Sequence, residues 1–342
     1  MTFKAFRVVA ALVASMLLFH HCSKDRQAAD DSPLNLPATP FNYNTVFPLH
    51  IAQALALQDN TPADNPITND GATLGRVLFY DKNLSQNYTI SCASCHKQEL
   101  SFSDNGVKST GFNGGSTFRH SMPTLNLRFY RSGRMFWDER AATLEEQVLM
   151  PIQDATEMGM TLSELVTRLS SVEYYPGLFQ KAFGTTEITA DRISKALAQF
   201  LRSIVTYQSK YDRVKQGLDV FTADEQAGEQ HFLAVGPGAC GGCHRPPMFT
   251  TSNPVAPFGL LDPNDQGINN ENRFKSGTLR NIANTAPLFH NGSVPGLQAM
   301  LNSNIPAHGI APQDRMRVLA FLNTLTDEAI RTDVRFSDPF NK

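Results

Sequence analysis

Cys92-Ala93-Ser94-Cys95-His96 and Cys240-Gly241-Gly242-Cys243-His244 are the two stretches from which this chain is best read. Each is a CxxCH motif, the pattern of covalent c-type haem attachment. In a helical segment, residues three and four apart share a face. Both thiols can then reach the two vinyl groups of one porphyrin while the following histidine turns its imidazole to the iron. A redox CxxC or half of a zinc site would need a histidine at the same offset twice by accident, so haem is preferred. The expected cofactors are two covalently bound c-type haems, one held by Cys92 and Cys95 with His96 on the iron, the other by Cys240 and Cys243 with His244.

The chain has 342 residues, enough for two domains with cores of their own. With 30 basic against 32 acidic residues, its charge gives no reason to expect nucleic acid as a partner. Lys4 and Arg7 precede an apolar run, Val8 to Phe19, which has the length of a signal-peptide core and is too short for a mature membrane span. Residues 1–21 therefore read as a signal peptide, and the expected location is the periplasm or cell envelope. Of five cysteines, four belong to the haem motifs and Cys22 stands just after the apolar run, where a bacterial lipoprotein would be acylated. Leu18-Phe19-His20-His21 lacks the small residue usual before such a cysteine, so an ordinary cleaved precursor is the alternative. No cysteine pair remains for a structural disulfide.

Residues 22–40 are rich in Ser, Asp, Pro and Ala and read as a flexible tether, with folded structure starting near Phe41. Between the motifs the apolar spacing is helical over Thr143–Leu149 and Leu162–Val172. Over Ala190–Val205 it places Ile193, Leu197, Phe200, Leu201 and Ile204 on one face behind a Thr189 cap. Ser209–Gly217 reads as a polar hinge, followed by helices over Ala223–Phe232, Leu297–Leu301 and Gln313–Leu325. The expected class is mainly α, with two tandem cytochrome c-like haem domains. These are an N-terminal one at 41–208 and a C-terminal one at 209–329, followed by a tail at 330–342.

Two further segments carry a family resemblance. Phe136-Trp137-Asp138-Glu139-Arg140 through Gln147 and on to Glu157, and Thr278-Leu279-Arg280-Asn281 through His290-Asn291-Gly292, resemble the bacterial di-haem cytochrome c peroxidases and their methylamine-utilisation-type relatives. The resemblance runs from about Phe41 to Asp327. It implies that the His96 haem is the peroxide-reducing one, that the His244 haem receives electrons from a small cytochrome c or cupredoxin, and that Trp137 lies between them. It also implies distal-pocket roles for Glu157, as the group that moves the peroxide proton, and for Gln147, which orients the ligand. Local sequence alone reads these three as an exposed Glu, a capping Gln and a core Trp.

The chain departs from that family pattern at the sixth iron positions, where an open site favours peroxide chemistry and a closed one electron transfer. Asn113 stands where many relatives place a blocking histidine, and Gly111–Phe118 contains no His or Met, so the His96 iron is expected to be open at rest. At the second haem the ligand position falls on Asn304. Met300 is the candidate sixth ligand, with core packing as its competing role, and His308 is the alternative ligand. His290 is expected to support the pocket. His120 replaces an oxygen ligand of the calcium ion that relatives bind between the domains, near Thr285 and Pro287, which leaves that ion in question. The expected activity is reduction of hydrogen peroxide to water. The alternatives are a di-haem oxidase acting on a protein or organic substrate and a non-catalytic electron-transfer cytochrome. A homodimer is left open.

Overall fold

The computed structural model describes residues 33–234, 240–250, 262–303 and 310–341, except the side chain of Ala54. The chain divides into two compact units, residues 1–36 with 339–342, and residues 37–338. In the described part of the smaller unit, Leu34 bridges Phe340 antiparallel and Asn35 N–H donates to the Pro339 carbonyl at 2.7 Å. Both haem motifs lie in the larger unit. Among the described residues there are twelve α-helices, short 3-10 turns and isolated β-bridges only. No described helix is long and apolar enough to cross a membrane.

The larger unit is organised around two helix pairs of the same design. In the first, α2 (Asn69–Tyr80) crosses α8 (Ala190–Ser203). The Thr68 hydroxyl caps α2 by accepting from Gly71 N–H at 3.0 Å, and Thr189 caps α8 by accepting from Arg192 N–H at 3.2 Å. A Cβ at Gly75 would stand 2.0 Å from the Ala196 carbonyl oxygen and 2.7 Å from Phe200 Cβ, so glycine is what lets the two backbones approach. In the second pair α10 (Ala223–Leu233) crosses α12 (Pro312–Asn323). There a Cβ at Gly228 would stand 2.0 Å from the Arg317 carbonyl oxygen and 2.9 Å from Phe321 Cβ. Glycine against a backbone carbonyl, with a phenylalanine one turn on, is thus repeated in the two halves.

The aromatic residues of each pair extend into a core. Phe79, Phe102, Phe200 and Phe336 form one group. Tyr211, Phe232, Phe249 and Phe321 form the other. Phe336 is 2 % exposed, and the stretch read from sequence as a tail is held as far as Phe336. Arg76 donates to the Val334 carbonyl at 2.8 Å, Tyr80 to Phe336 at 2.7 Å, and Gln98 to Ile330 and Asp333 at 3.1 and 2.9 Å.

Other elements refine the sequence reading. The Thr143–Leu149 pattern forms only the short α4 (Leu144–Gln147), and a separate α5 (Met150–Gln153) follows with Pro151 in its first turn. The Leu162–Val172 pattern forms α6 (Leu162–Ser170), which opens on a Thr161/Glu164 capping box. Ser209–Gly217 is not a hinge. It holds α9 (Lys210–Lys215), started by a Ser209/Asp212 capping box with Tyr211 and Asp212 buried. The remaining helices are α1 (Leu49–Leu55), α3 (Cys92–Cys95), α7 (Tyr174–Phe183) and α11 (Leu297–Asn302).

Candidate functional site

The first CxxCH forms α3, while the second begins as a 3-10 turn over Cys240–Gly242. Both close with the same bond, His96 N–H to the Cys92 carbonyl and His244 N–H to the Cys240 carbonyl, each 2.9 Å. His96 Nδ1 lies 3.3 Å from the Phe102 carbonyl, and His244 Nδ1 lies 3.4 Å from the Phe249 carbonyl. Phe102 and Phe249 have φ of 56° and 53°, left-handed turns that aim those carbonyls back at the rings. A carbonyl only accepts, so Nδ1 carries the proton and Nε2 keeps its lone pair for iron. Burial pushes His96 down to about 4, which keeps the imidazole in the neutral, ligating form.

Cys92, Cys95 and His96 border a cavity of about 530 Å³ that Gln147, Glu157 and Arg140 also line. Gln147 ends α4, whose Thr143 cap accepts from Glu146 N–H at 3.1 Å. Glu157 stands in a turn built by Asp154, whose carboxylate accepts from Thr156 and Glu157 N–H at 2.8 and 3.0 Å. Phe112 N–H donates to the Glu157 carbonyl at 2.9 Å, pinning the loop that holds Asn113 against this turn. Burial, and then the Asp154 charge, push the Glu157 carboxyl up to about 7 against the pull of Arg140. Asn113 is exposed, donates to the Ala155 carbonyl at 3.3 Å and does not line the cavity.

A second cavity, about 270 Å³, is bordered by Cys240, Cys243 and His244. Met300, half-buried on α11, lines it and also packs against the surrounding core. His290 lines it too, stacked on Phe274 with ring centroids 3.7 Å apart. Asn304, His308 and Cys22 lie outside the described residues.

Trp137, His120 and Lys275 line both cavities. Trp137 is fixed at two points, its Nε1 donating to the His120 carbonyl and its own carbonyl accepting from Lys275 N–H, each at 2.8 Å. Arg119, for which sequence gave no role, bonds Asp265 through two nitrogens at 2.6 and 2.7 Å and reaches Asp138 at 2.6 Å. Lys275 was likewise not foreseen.

The residues present fit a covalently held haem at each motif: two cysteines and an oriented imidazole at the wall of a largely apolar cavity. The buried Nε2 atoms of His120 and His290, without a hydrogen-bond partner among the described residues, belong to side chains that also line the second cavity. Calcium fits less well. Among the described residues no group of three or more His, Cys, Asp or Glu could hold a metal ion. His120 offers a nitrogen, and its Nδ1 already donates to the Gly106 carbonyl at 3.0 Å, whereas calcium takes oxygen ligands.

Comparison with known proteins agrees with this geometry. Residues 69–219 match the family described as di-haem cytochrome c peroxidase, and residues 274–307 match one described as RoxA-like, cytochrome c-like. The chain is 33 % identical over 291 residues to the methylamine utilization protein MauG of Methylorubrum extorquens, covering 78 % of this chain and 81 % of that protein. It is equally 33 % identical, over 284 residues, to the cytochrome c551 peroxidase of Nitrosomonas europaea, covering 78 % and 83 %. Among solved structures, a MauG-like protein associated with microbial copper homeostasis superposes with a TM-score of 0.77 at 29 % identity, over 87 % of this chain and 99 % of that one. With its mainly helical, tandem cytochrome c-like fold and a haem motif at each cavity, the chain belongs to the di-haem cytochrome c peroxidase family.

Proposed function

We propose that the protein is a peroxidase that reduces hydrogen peroxide to water at the His96 site, with electrons entering at the His244 site from a small cytochrome c or cupredoxin. The observation that carries this reading is the meeting of Glu157 and Gln147 in the cavity of His96, with the Glu157 carboxyl at about 7. A group that titrates near the working pH can both take and return a proton. When bound, the haem supplies an iron that takes up a peroxide oxygen and stores oxidising equivalents. Glu157 removes the proton from the inner peroxide oxygen and returns it to the outer one, which leaves as water. The Gln147 amide donates to the bound peroxide and orients it. Residues 111–118 bring no His or Met into the cavity, which leaves space there for peroxide. Trp137, beside both cavities, carries electrons between them.

Export, cleavage of residues 1–21 and acylation of Cys22 complete the reading, placing the protein in the periplasm or on the cell envelope. Two haem domains at 41–208 and 209–329 are part of it. Oxidation of a protein or organic substrate is the second reading, favoured by equal identity to MauG and to a cytochrome c551 peroxidase. Glu157→Gln tests the first. Both haems should remain attached and reducible while peroxide turnover with reduced cytochrome c falls by roughly a hundredfold or more, the scale of a positioned proton-transfer group. Turnover within a factor of about two of wild type would remove Glu157 from the mechanism.

A further inference from the structure

Lys275 is 3 % exposed, yet among the described residues no carboxylate is in direct contact with its ammonium. Nζ donates to the Arg134 carbonyl at 3.0 Å, touches Met135 Sδ at 3.3 Å and sits 3.9 Å from the centroid of the Tyr130 ring. The charge that acts on it is that of Glu139. That carboxylate is turned inward, 7 % exposed, and accepts from the Tyr130 hydroxyl and, at 3.4 Å, from Ser132. Glu139 has φ of 53°, a left-handed conformation that disfavours a non-glycine residue, so the fold maintains this carboxylate against local preference. The cluster adjoins Trp137, whose carbonyl Lys275 N–H holds, and Lys275 lines both cavities.

A buried cation carried by a residue that lines two redox sites stabilises an added electron at either one through low-dielectric surroundings. Resting on the two-haem reading above, we propose that Lys275 is a positioning residue for electron transfer, its ammonium favouring the reduced form of the adjacent haem sites and its amine taking up a proton as an electron arrives. The step balances. One electron from the donor protein reduces one iron, one proton from solvent converts the amine to ammonium, and no other bond forms or breaks. Burial pushes the Lys275 ammonium down to about 7, opposed only by Glu139, so its charge is free to change near neutral pH. Around Nζ, the Tyr130 phenol, the Arg134 carbonyl and the Met135 thioether are uncharged. A proton bound more tightly in the reduced state makes reduction harder as pH rises above about 7.

The test is spectroelectrochemical titration of the purified holoprotein between pH 6 and pH 9, after its two covalent haems are verified by mass. Wild type should show at least one haem potential that falls with pH above neutrality. Lys275→Met should shift that reduction equilibrium at least about tenfold toward the oxidised form at pH 6, or 59 mV for a one-electron step, and abolish the pH dependence. Lys275→Arg, which stays charged throughout, should keep the higher potential but lose the pH dependence. Glu139→Gln should move the pH dependence to lower pH. Potentials and pH dependence unchanged in Lys275→Met, or in Lys275→Arg if the methionine variant does not fold, would overturn the inference while leaving the two-haem reading intact. A wild type with fewer than two haems would overturn both.

Discussion

Glu157 is costly to ionise where it stands, because burial and Asp154 both act against its charge, and that cost is visible apart from catalysis. Its carboxyl rises from the ordinary 4.5 to about 7 on folding. Below the unfolded value both states are protonated and there is no penalty. Above about 7 both are ionised and the native state bears all of it. Glu157→Gln should therefore stabilise the holoprotein by roughly 1–3 kcal/mol at pH 8, with most of the gain gone at pH 5, as read by thermal unfolding at the two pH values. Over the same range, peroxide turnover by the wild type should rise with pH through about 7, since the carboxylate must be ionised to take a proton, and the variant should lack that limb. Glu157, Gln147 and Trp137 were legible in sequence only through their order within a family pattern. The Phe102 and Phe249 carbonyls that orient the two histidines were not, because backbone atoms carry that role. Nor was Lys275, a single lysine whose burial depends on contacts with residues 130–137.

Helix crossings set the spacing of each cavity wall, and they rest on Gly75 and Gly228. Alanine at either position places a methyl 2.0 Å from a backbone oxygen that cannot rotate away. Gly75→Ala and Gly228→Ala should each cost at least about 1–3 kcal/mol, the usual scale of overpacking, measured by urea unfolding of protein that still carries both haems. A cost under about 0.5 kcal/mol would mean that the helices separate freely there. The amphipathic α8 and its Thr189 cap were readable in advance because one face is apolar. By contrast, α2 is buried from Gly71 through Phe79, so it has no polar face to mark a helical period. Polar residues hid α9, since Ser209 and Asp212 turn inward to cap it and to bind Arg280. The repeat of glycine, carbonyl and phenylalanine links residues far apart in sequence, which is why the halves look unrelated beyond CxxCH.

Across the whole molecule, Asp212 gathers distant parts of the chain. It accepts two bonds from Arg280 at 2.8 Å, two from Ser209, N–H at 3.0 Å and hydroxyl at 2.7 Å, and faces His50 of α1 at 3.0 Å. Arg280 and Asp212 are both wholly buried, so Arg280→Met leaves a carboxylate in the interior with its main counter-charge gone. The expected loss is about 3–5 kcal/mol in chemical denaturation, with Arg280→Lys intermediate because an ammonium cannot reproduce the two-pronged contact. A loss below about 1 kcal/mol would show that Ser209 and His50 suffice. The first haem half has a different dependence. Its aromatic group includes Phe336, and Arg76, Tyr80 and Gln98 bond to carbonyls between Ile330 and Phe336. The second half draws its group from Tyr211 to Phe321. The half that comes first in sequence is therefore completed by residues that come last. Cutting the chain before Ile330 would strip the first half of Phe336 and of the carbonyls that Arg76, Tyr80 and Gln98 bind, while leaving the Tyr211, Phe232, Phe249 and Phe321 group of the second half whole.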